Sequence, residues 1–185
     1  MEAAYERIAD AGFEGLRTRD VAADVGVNVA TLHYYFPTKE ALIRGVVGHA
    51  LRKFGATMPN GGSAAEQLGA HLAAIHRLLK EEPGLFAVLG ELALRAPRDA
   101  VIADVLRAAD EPWHRVLREL VRHSVQEGRI DPRVDPDDAA ALIAATIRGV
   151  SMPAASSVQP ERIDGAFREL DRWLGLAGGN NSSNV

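Results

Sequence analysis

Apolar residues recur along this chain at helical spacing, three or four positions apart, and no segment sustains the alternation of a strand. These repeats, with the Gly, Pro and capping residues between them, predict an all-α fold. The predicted helices span residues 2–11, 18–25, 29–35, 38–55, 64–81, 84–95, 98–109, 111–128, 136–151 and 161–175.

The segment MPNGGS at 58–63 combines a Pro, an Asn and two Gly residues, and we place the domain boundary at this break. We therefore expect two parts. The first is an N-terminal domain over residues 1–55, and the second is a C-terminal regulatory and dimerisation domain over 64–175. The tail at 176–185 ends in GGNNSSNV and is predicted to be disordered, because it offers almost no apolar surface to bury.

The most specific pattern lies at 17–36, where two short helices flank a tight turn. Thr18 suits the N-cap of the first helix, Gly26 suits a turn that needs positive φ, and Asn28 suits the N-cap of helix 29–35. Leu32 and Phe36 are expected to face inward. This arrangement predicts a three-helix, homeodomain-like helix-turn-helix (HTH) domain, a device that places one short helix in the major groove of DNA.

A recognition helix needs small or polar side chains at its start, so that its backbone can approach the base edges. Cations at the starts of the neighbouring helices fit phosphates. The predicted DNA-contacting residues are Arg17, Thr18, Arg19, Ala30, Thr31, His33, Tyr34 and Lys39. The alternative is a helical hairpin with ordinary caps, part of a helical module that binds protein and not DNA.

Charge limits how such contacts can work. The net charge is −4, and residues 1–54 hold seven Lys/Arg and seven Asp/Glu. The N-terminal domain is therefore not broadly basic. Any affinity for double-stranded DNA must come from a few well-placed cations and helix N-termini.

Composition also argues against other classes of protein. The chain has no Cys, and it has neither an apolar run of the roughly 20 residues that a membrane span needs nor the pattern of a signal peptide. It also lacks GxSxG, a phosphate-cradling Gly loop and a dinucleotide fingerprint. His71 and His76 are five residues apart, which separates them around a helix. We therefore expect a cytoplasmic protein with no membrane partner, catalytic residue, cofactor or metal site.

The string AGFEGLRTRDVAADVGVNVATLHYYFPTKEALI resembles the N-terminal domain of the TetR family of transcriptional repressors. It carries G-F, then T-x-x-V-A-x-x-x-G-V, then T-L-x-Y-Y-F-x-x-K-E-x-L, over roughly residues 5–50. The resemblance implies a homodimeric repressor that binds an inverted repeat and releases DNA when a small molecule binds the larger domain. It also implies DNA contacts at Thr18, Arg19, Ala30, Thr31, His33, Tyr34 and Lys39. His33 stands where the family often has Tyr.

Two C-terminal helices are predicted to pair with a second copy of the chain. Helix 111–128 carries an apolar stripe, and the segment AAALIAATI at 139–147 is uncharged on every face. Such helices from two subunits would form a four-helix bundle about a two-fold axis. The alternative is a central helix buried within one subunit. The predicted interface residues are Leu120, Val121, Val125, Ala140, Ile143, Ala144 and Ile147.

The C-terminal helices could also enclose an effector cavity. His76, His114 and Trp113 would supply polar groups in an otherwise apolar site, which favours a hydrophobic or neutral effector. For each of these three residues the alternative is an ordinary role in the core or at the surface. The predicted ligand-binding residues are Leu72, Ile75, His76, Leu79, Phe86, Leu89, Trp113, His114 and Leu117.

Overall fold

The computed structural model describes residues 1–58, 61–152 and 160–176, and within these ranges helices are the only regular elements. Two short 3₁₀ turns, Phe13–Gly15 and Ala96–Arg98, lie between α-helices. The α-helices are α1 Glu2–Ala11, α2 Thr18–Asp24, α3 Val29–Tyr35, α4 Lys39–Gly55, α5 Ala64–Glu81, α6 Pro83–Arg95, α7 Ala100–Gln126, α8 Pro136–Val150 and α9 Pro160–Trp173. The all-α prediction is confirmed, while the predicted tail lies outside the described residues from position 177 onward.

The prediction of separate helices at 98–109 and 111–128 is wrong. Helix α7 runs without interruption past Pro112, although an internal proline removes one backbone hydrogen bond. Pro112 is exposed, as is Ala108, whose carbonyl would have accepted that bond. Water can therefore satisfy the carbonyl, and the helix continues.

The described chain forms two compact units. The first contains Met1–Gly55 together with Glu82–Ala109, and the second contains Ala56–Glu81 together with the described residues from Asp110 onward. Helix α6 and the start of α7 therefore belong with the N-terminal helices. The division at 58–63 that the sequence suggests assigns α6 differently, and it remains a prediction.

The core of the first unit forms where α1 packs against α4 and α6. Ile8 on α1 and Val46 on α4 are almost fully buried, as is Leu85 on α6. Helices α1 and α4 bury apolar side chains along one face, which is the pattern that drives such packing. Helix α2 contacts α1, and α3 contacts α2.

The core of the second unit involves α5, α8 and α9, with α9 in contact with both of the others. Leu72, Leu117, Ile143 and Leu174 are at most 1% exposed. Asp135 caps α8 by accepting hydrogen bonds from the backbone N–H groups of the next two aspartates. No helix in the described ranges is long and apolar enough to cross a membrane.

Candidate functional site

The turn between α2 and α3 has the geometry that the sequence predicts. Gly26 adopts φ 68°, in the left-handed region that glycine enters without steric cost. The N–H of Val27 donates to the carbonyl of Ala22 at 2.9 Å, which closes the turn. This hydrogen bond ties the turn to α2 one residue before the N-cap of α3.

Asn28 is the N-cap of α3, as predicted. Its Oδ1 accepts from the N–H of Thr31 at 2.7 Å and from the Thr31 hydroxyl at 3.0 Å. The cap therefore satisfies one exposed backbone donor of α3 and engages the hydroxyl proton of Thr31. A base contact by Thr31 would then use its methyl group, which suits the methyl of thymine.

The outer face of α3 is open to solvent. Leu32 is buried at 8% exposure, whereas Tyr34 is 81% exposed and Ala30 and His33 are also exposed. Tyr35, which the sequence reasoning missed, is 68% exposed and packs edge-on against Tyr34 at 5.2 Å between ring centroids. Its position next to Tyr34 in a short helix was the signal that could have identified it.

The starts of α2 and α4 present cations. Arg17, Arg19 and Lys39 are exposed, and Thr38 caps α4 by accepting from the N–H of Ala41 at 3.1 Å. The prediction that Thr18 caps α2 is wrong. Arg17 is the N-cap residue, without a side-chain cap bond, and Thr18 is the first residue of the helix. The Arg17 carbonyl accepts the first two helical bonds, which moves the boundary back by one residue.

An ion pair holds α2 against α1. Arg7 binds Asp24 in a bidentate manner, with N–O distances of 2.5 and 2.8 Å. The hydrogen bond from Arg7 lowers the pKa of the Asp24 carboxyl below its usual range. Asp24 is the last residue of α2, so this bond fixes the end of α2 that leads into the turn.

In the second unit, Trp113 is bonded to a histidine that was not predicted to belong to the effector site. The indole N–H of Trp113 donates to Nε2 of His71 at 2.9 Å, and His71 Nδ1 lies 3.0 Å from the Thr57 hydroxyl. Because Nε2 accepts, the neutral His71 carries its proton on Nδ1. Burial lowers the pKa of His71, which is fully buried.

His76 is also engaged within the second unit. Its Nε2 lies 2.6 Å from Asp164 Oδ1, and its ring stacks on Phe167 with centroids 4.5 Å apart. Lys80 reaches the same Asp164 oxygen at 2.7 Å. Hydrogen bonds from Lys80 and His76 lower the pKa of Asp164, while burial raises that of Asp171. This group joins α5 to α9.

The nine predicted ligand-binding residues are divided between the two units. Phe86 and Leu89 lie in the first unit, and the other seven lie in the second. Within the second unit, Leu72, Ile75 and Leu117 are at most 1% exposed. Their side chains pack in the core, and Nε2 of His76 and the indole N–H of Trp113 already have partners.

The predicted interface residues are mostly core residues of the single chain. Of the seven, only Val125 is not buried, and the other six are at most 8% exposed. Their own chain therefore covers the surface that they would offer to a second copy. Helix α8 is buried on one face only. Its opposite face leaves Ala141, Leu142, Ala145, Arg148 and Gly149 exposed.

A surface cleft of about 630 Å³ lies in the second unit, between the start of α8 and the end of α9. Its lining includes Trp173, Leu142 and Arg133, and it contains none of the predicted ligand-binding residues. Asp131, which also lines it, pairs with Arg133, and that hydrogen bond lowers its pKa to about 2. Within the described ranges no group of three or more His, Asp or Glu side chains is placed to hold a metal ion.

Comparison with known proteins gives two family matches, in different parts of the chain. The family of bacterial regulatory proteins described as the tetR family matches residues 1–46. The family described as BetI-type transcriptional repressor, C-terminal, matches residues 64–174. The first match contains α1 to α3 and the start of α4, and the second contains α5 to α9.

A similar relative is the nucleoid occlusion factor SlmA of Haemophilus influenzae, 29% identical over 133 residues. The match covers 68% of this chain and only 61% of that relative. A TetR transcription regulator from Haloarcula marismortui has a similar fold, with a TM-score of 0.84, 22% identity and coverage of 94% and 93% of the two chains.

A second similar structure is AibR, in complex with isovaleryl coenzyme A and operator DNA. Its TM-score is 0.70, with 20% identity and coverage of 94% and 95%. These likenesses concern the fold. The family match at 64–174 extends over more than half of the chain, and a second match covers the HTH. The protein therefore belongs to the TetR family of DNA-binding transcriptional regulators, which are not enzymes.

Proposed function

We propose that the protein is a homodimeric repressor that binds an inverted-repeat operator through α3 of each subunit. The observation that carries this proposal is the open face of α3, where Ala30, His33 and Tyr34 are exposed on a helix fixed by its cap and turn. Arg17 and Lys39 stand at the starts of α2 and α4, where cations meet phosphates. AibR, a protein of similar fold, has been crystallised with operator DNA.

Binding to duplex DNA at increasing salt concentration tests the proposal. We expect a steep fall in affinity, because each phosphate contact releases counterions. Replacing Lys39 by Ala should weaken binding to all sequences alike, whereas replacing His33 by Ala should change the sequence preference. Binding that is absent, or indifferent to salt, would favour a helical module that recognises protein.

The second copy is proposed to pack on the exposed face of α8. Ala141, Ala145 and Gly149 recur there at helical spacing beside the exposed Leu142, and small side chains let two helices approach closely. A two-fold dimer that binds an inverted repeat needs one α3 in each of two successive major grooves, about 34–36 Å apart.

Replacing Ala145 by Arg tests this interface, because it places a charge at the centre of the face. We expect the mass measured by sedimentation equilibrium to fall to that of one chain, and operator affinity to fall with it. The matched control is Ala73→Arg, at an exposed alanine of α5. A dimer that persists in Ala145→Arg would place the interface elsewhere.

We propose that a small hydrophobic or neutral effector binds the C-terminal helices and releases the operator. This class of effector is supported by the apolar side chain of Leu72, and by Trp113, whose indole N–H already has a partner. The effector would favour a dimer in which the two recognition helices cannot both enter successive major grooves. Linkage then requires effector and operator to weaken each other's binding by the same factor. Unequal factors at equilibrium would exclude the mechanism.

A further inference from the structure

An ion pair of the first unit lies beside the predicted DNA-contacting cations. Glu14 is in the 3₁₀ turn Phe13–Gly15, three residues before Arg17, and Arg95 is the last residue of α6. Nη2 of Arg95 donates to Oε1 of Glu14 at 2.7 Å. The C-terminal end of α6 therefore reaches the segment that leads into α2.

The guanidinium of Arg95 is fixed and yet accessible. It lies over the ring of Phe13, 4.6 Å from the ring centroid, and Phe13 itself is buried. The side chain of Arg95 is 40% exposed and that of Glu14 is 92% exposed. An arginine held by an aromatic ring loses less conformational freedom when it binds a further anion.

The carboxylate of Glu14 lies among several cations. Its pKa is lowered first by the hydrogen bond and charge of Arg95, with smaller contributions from Lys39 and Arg17. Two of these three residues are predicted phosphate contacts. Glu14 is thus a negative group placed where the DNA backbone is expected to bring negative charge.

We propose that Arg95 is a further phosphate-contacting residue, and that Glu14 holds its guanidinium until a phosphate of the DNA replaces the carboxylate. This inference rests on the DNA-binding function proposed above. Guanidinium groups bind phosphate in the same forked geometry as carboxylate. The released carboxylate of Glu14 is then solvated by water. Where Arg95 does not contact a phosphate, Glu14 repels the DNA backbone. The pair therefore disfavours any binding position in which Arg95 lacks a phosphate.

The competing explanation is that the pair only fastens α6 to the 3₁₀ turn. Both explanations predict that breaking the pair has some effect, but they differ in its direction. If the pair is only a fastener, removing either partner affects DNA binding in the same way. If Arg95 contacts phosphate, removing Arg95 weakens binding and removing Glu14 strengthens it.

The experiment compares wild type, Arg95→Gln, Glu14→Gln and the double variant on a mixed-sequence duplex over a range of salt concentrations. For Arg95→Gln we expect an affinity about two- to fivefold lower, the size of one exposed charge pair, and a salt dependence shallower by about one phosphate contact. Glu14→Gln should raise the affinity by a similar factor. The double variant should bind more tightly than Arg95→Gln, because the unpaired carboxylate of Glu14 no longer repels the phosphates, and less tightly than Glu14→Gln, which keeps the guanidinium.

Changes in the same direction for both single variants, or an unchanged salt dependence in Arg95→Gln, would overturn the inference and leave the proposed function standing. A wild type that binds no duplex would overturn both. Thermal melting checks that each variant folds, and Arg95→Lys, which keeps the charge, should retain most of the salt dependence. The matched controls are Arg107→Gln and Asp104→Asn, which break an exposed pair within α7 and should leave binding unchanged.

Discussion

Helix α3 exposes polar side chains to solvent, whereas helix α5 buries one, that of His71. On α3 the side chains of Ala30, His33 and Tyr34 are exposed, and the polar bonds near its start shape the helix itself. On α5 the polar side chain of His71 is fully buried and bonded within its unit. Polar residues of α3 are therefore available to a partner, whereas His71 contributes to the stability of the fold.

The largest expected effect that separates the two helices is on stability. Replacing Trp113 by Phe removes the N–H that donates to His71 Nε2, and with it one buried hydrogen bond. We expect the free energy of unfolding to fall by about 1–3 kcal/mol, measured by urea denaturation. Trp173→Phe is the control, because Trp173 is 48% exposed. Equal losses in the two variants would mean that the bond to His71 does not stabilise the unit.

The pH dependence of stability provides a second test of the role of His71 in α5. Burial lowers the pKa of His71 below its ordinary value of 6.5, so the unfolded chain takes up a proton at a pH where the folded chain does not. The folded state should therefore lose stability as pH falls below 6.5 towards the lowered pKa, by at most about 1.4 kcal/mol per pH unit. Above pH 6.5 the residue should contribute no pH dependence.

Denaturation of the wild type and of His71→Gln between pH 7.5 and pH 5 measures this term. Glutamine can accept from Trp113 but does not titrate, so the stability of the variant should change less over that interval. A variant whose stability follows the same pH profile as the wild type would show that another group causes the loss.

A smaller effect is expected when the cap of α3 is removed. Asn28→Ala should lower the free energy of unfolding by about 1 kcal/mol, and it should alter sequence preference because the Thr31 hydroxyl loses its partner. Thr38→Ala removes the equivalent cap of α4 and is the control. We expect a similar loss of stability from it without a change in preference, as measured by competition between duplexes. A change in preference from Thr38→Ala alone would contradict the assignment of α3.

Local signals in the sequence were sufficient to predict most of the helices. Asn28, Gly26 and the apolar stripe of α4 each act on neighbours within a few residues, so the cap, the turn and the helix could be predicted. The predicted break between helices 98–109 and 111–128 was wrong, because the effect of Pro112 depends on whether water reaches the carbonyl of Ala108. That exposure is a property of the folded chain.

Residues of the C-terminal helices were harder to interpret for a similar reason. Ile143 and Leu142 are adjacent apolar residues of α8, yet one is buried and the other is 45% exposed. The uncharged sequence around them does not show which face the chain covers itself. Likewise, the bond between His71 and Trp113 joins residues 42 positions apart, a separation that helical spacing cannot predict.

The smallest expected effects come from two glycines, one beside α3 and the other within α5. Gly26 has φ 68°, and a Cβ there would meet nothing within 4 Å, so Gly26→Ala should cost only backbone strain, about 1 kcal/mol. Gly69 also has open space around it but lies inside a helix, where Gly69→Ala should raise the free energy of unfolding by about 0.5–1 kcal/mol. Urea denaturation of the two variants should therefore give shifts of opposite sign. Shifts of the same sign would mean that the turn before α3 does not depend on the left-handed conformation, and that α3 is held by its packing alone.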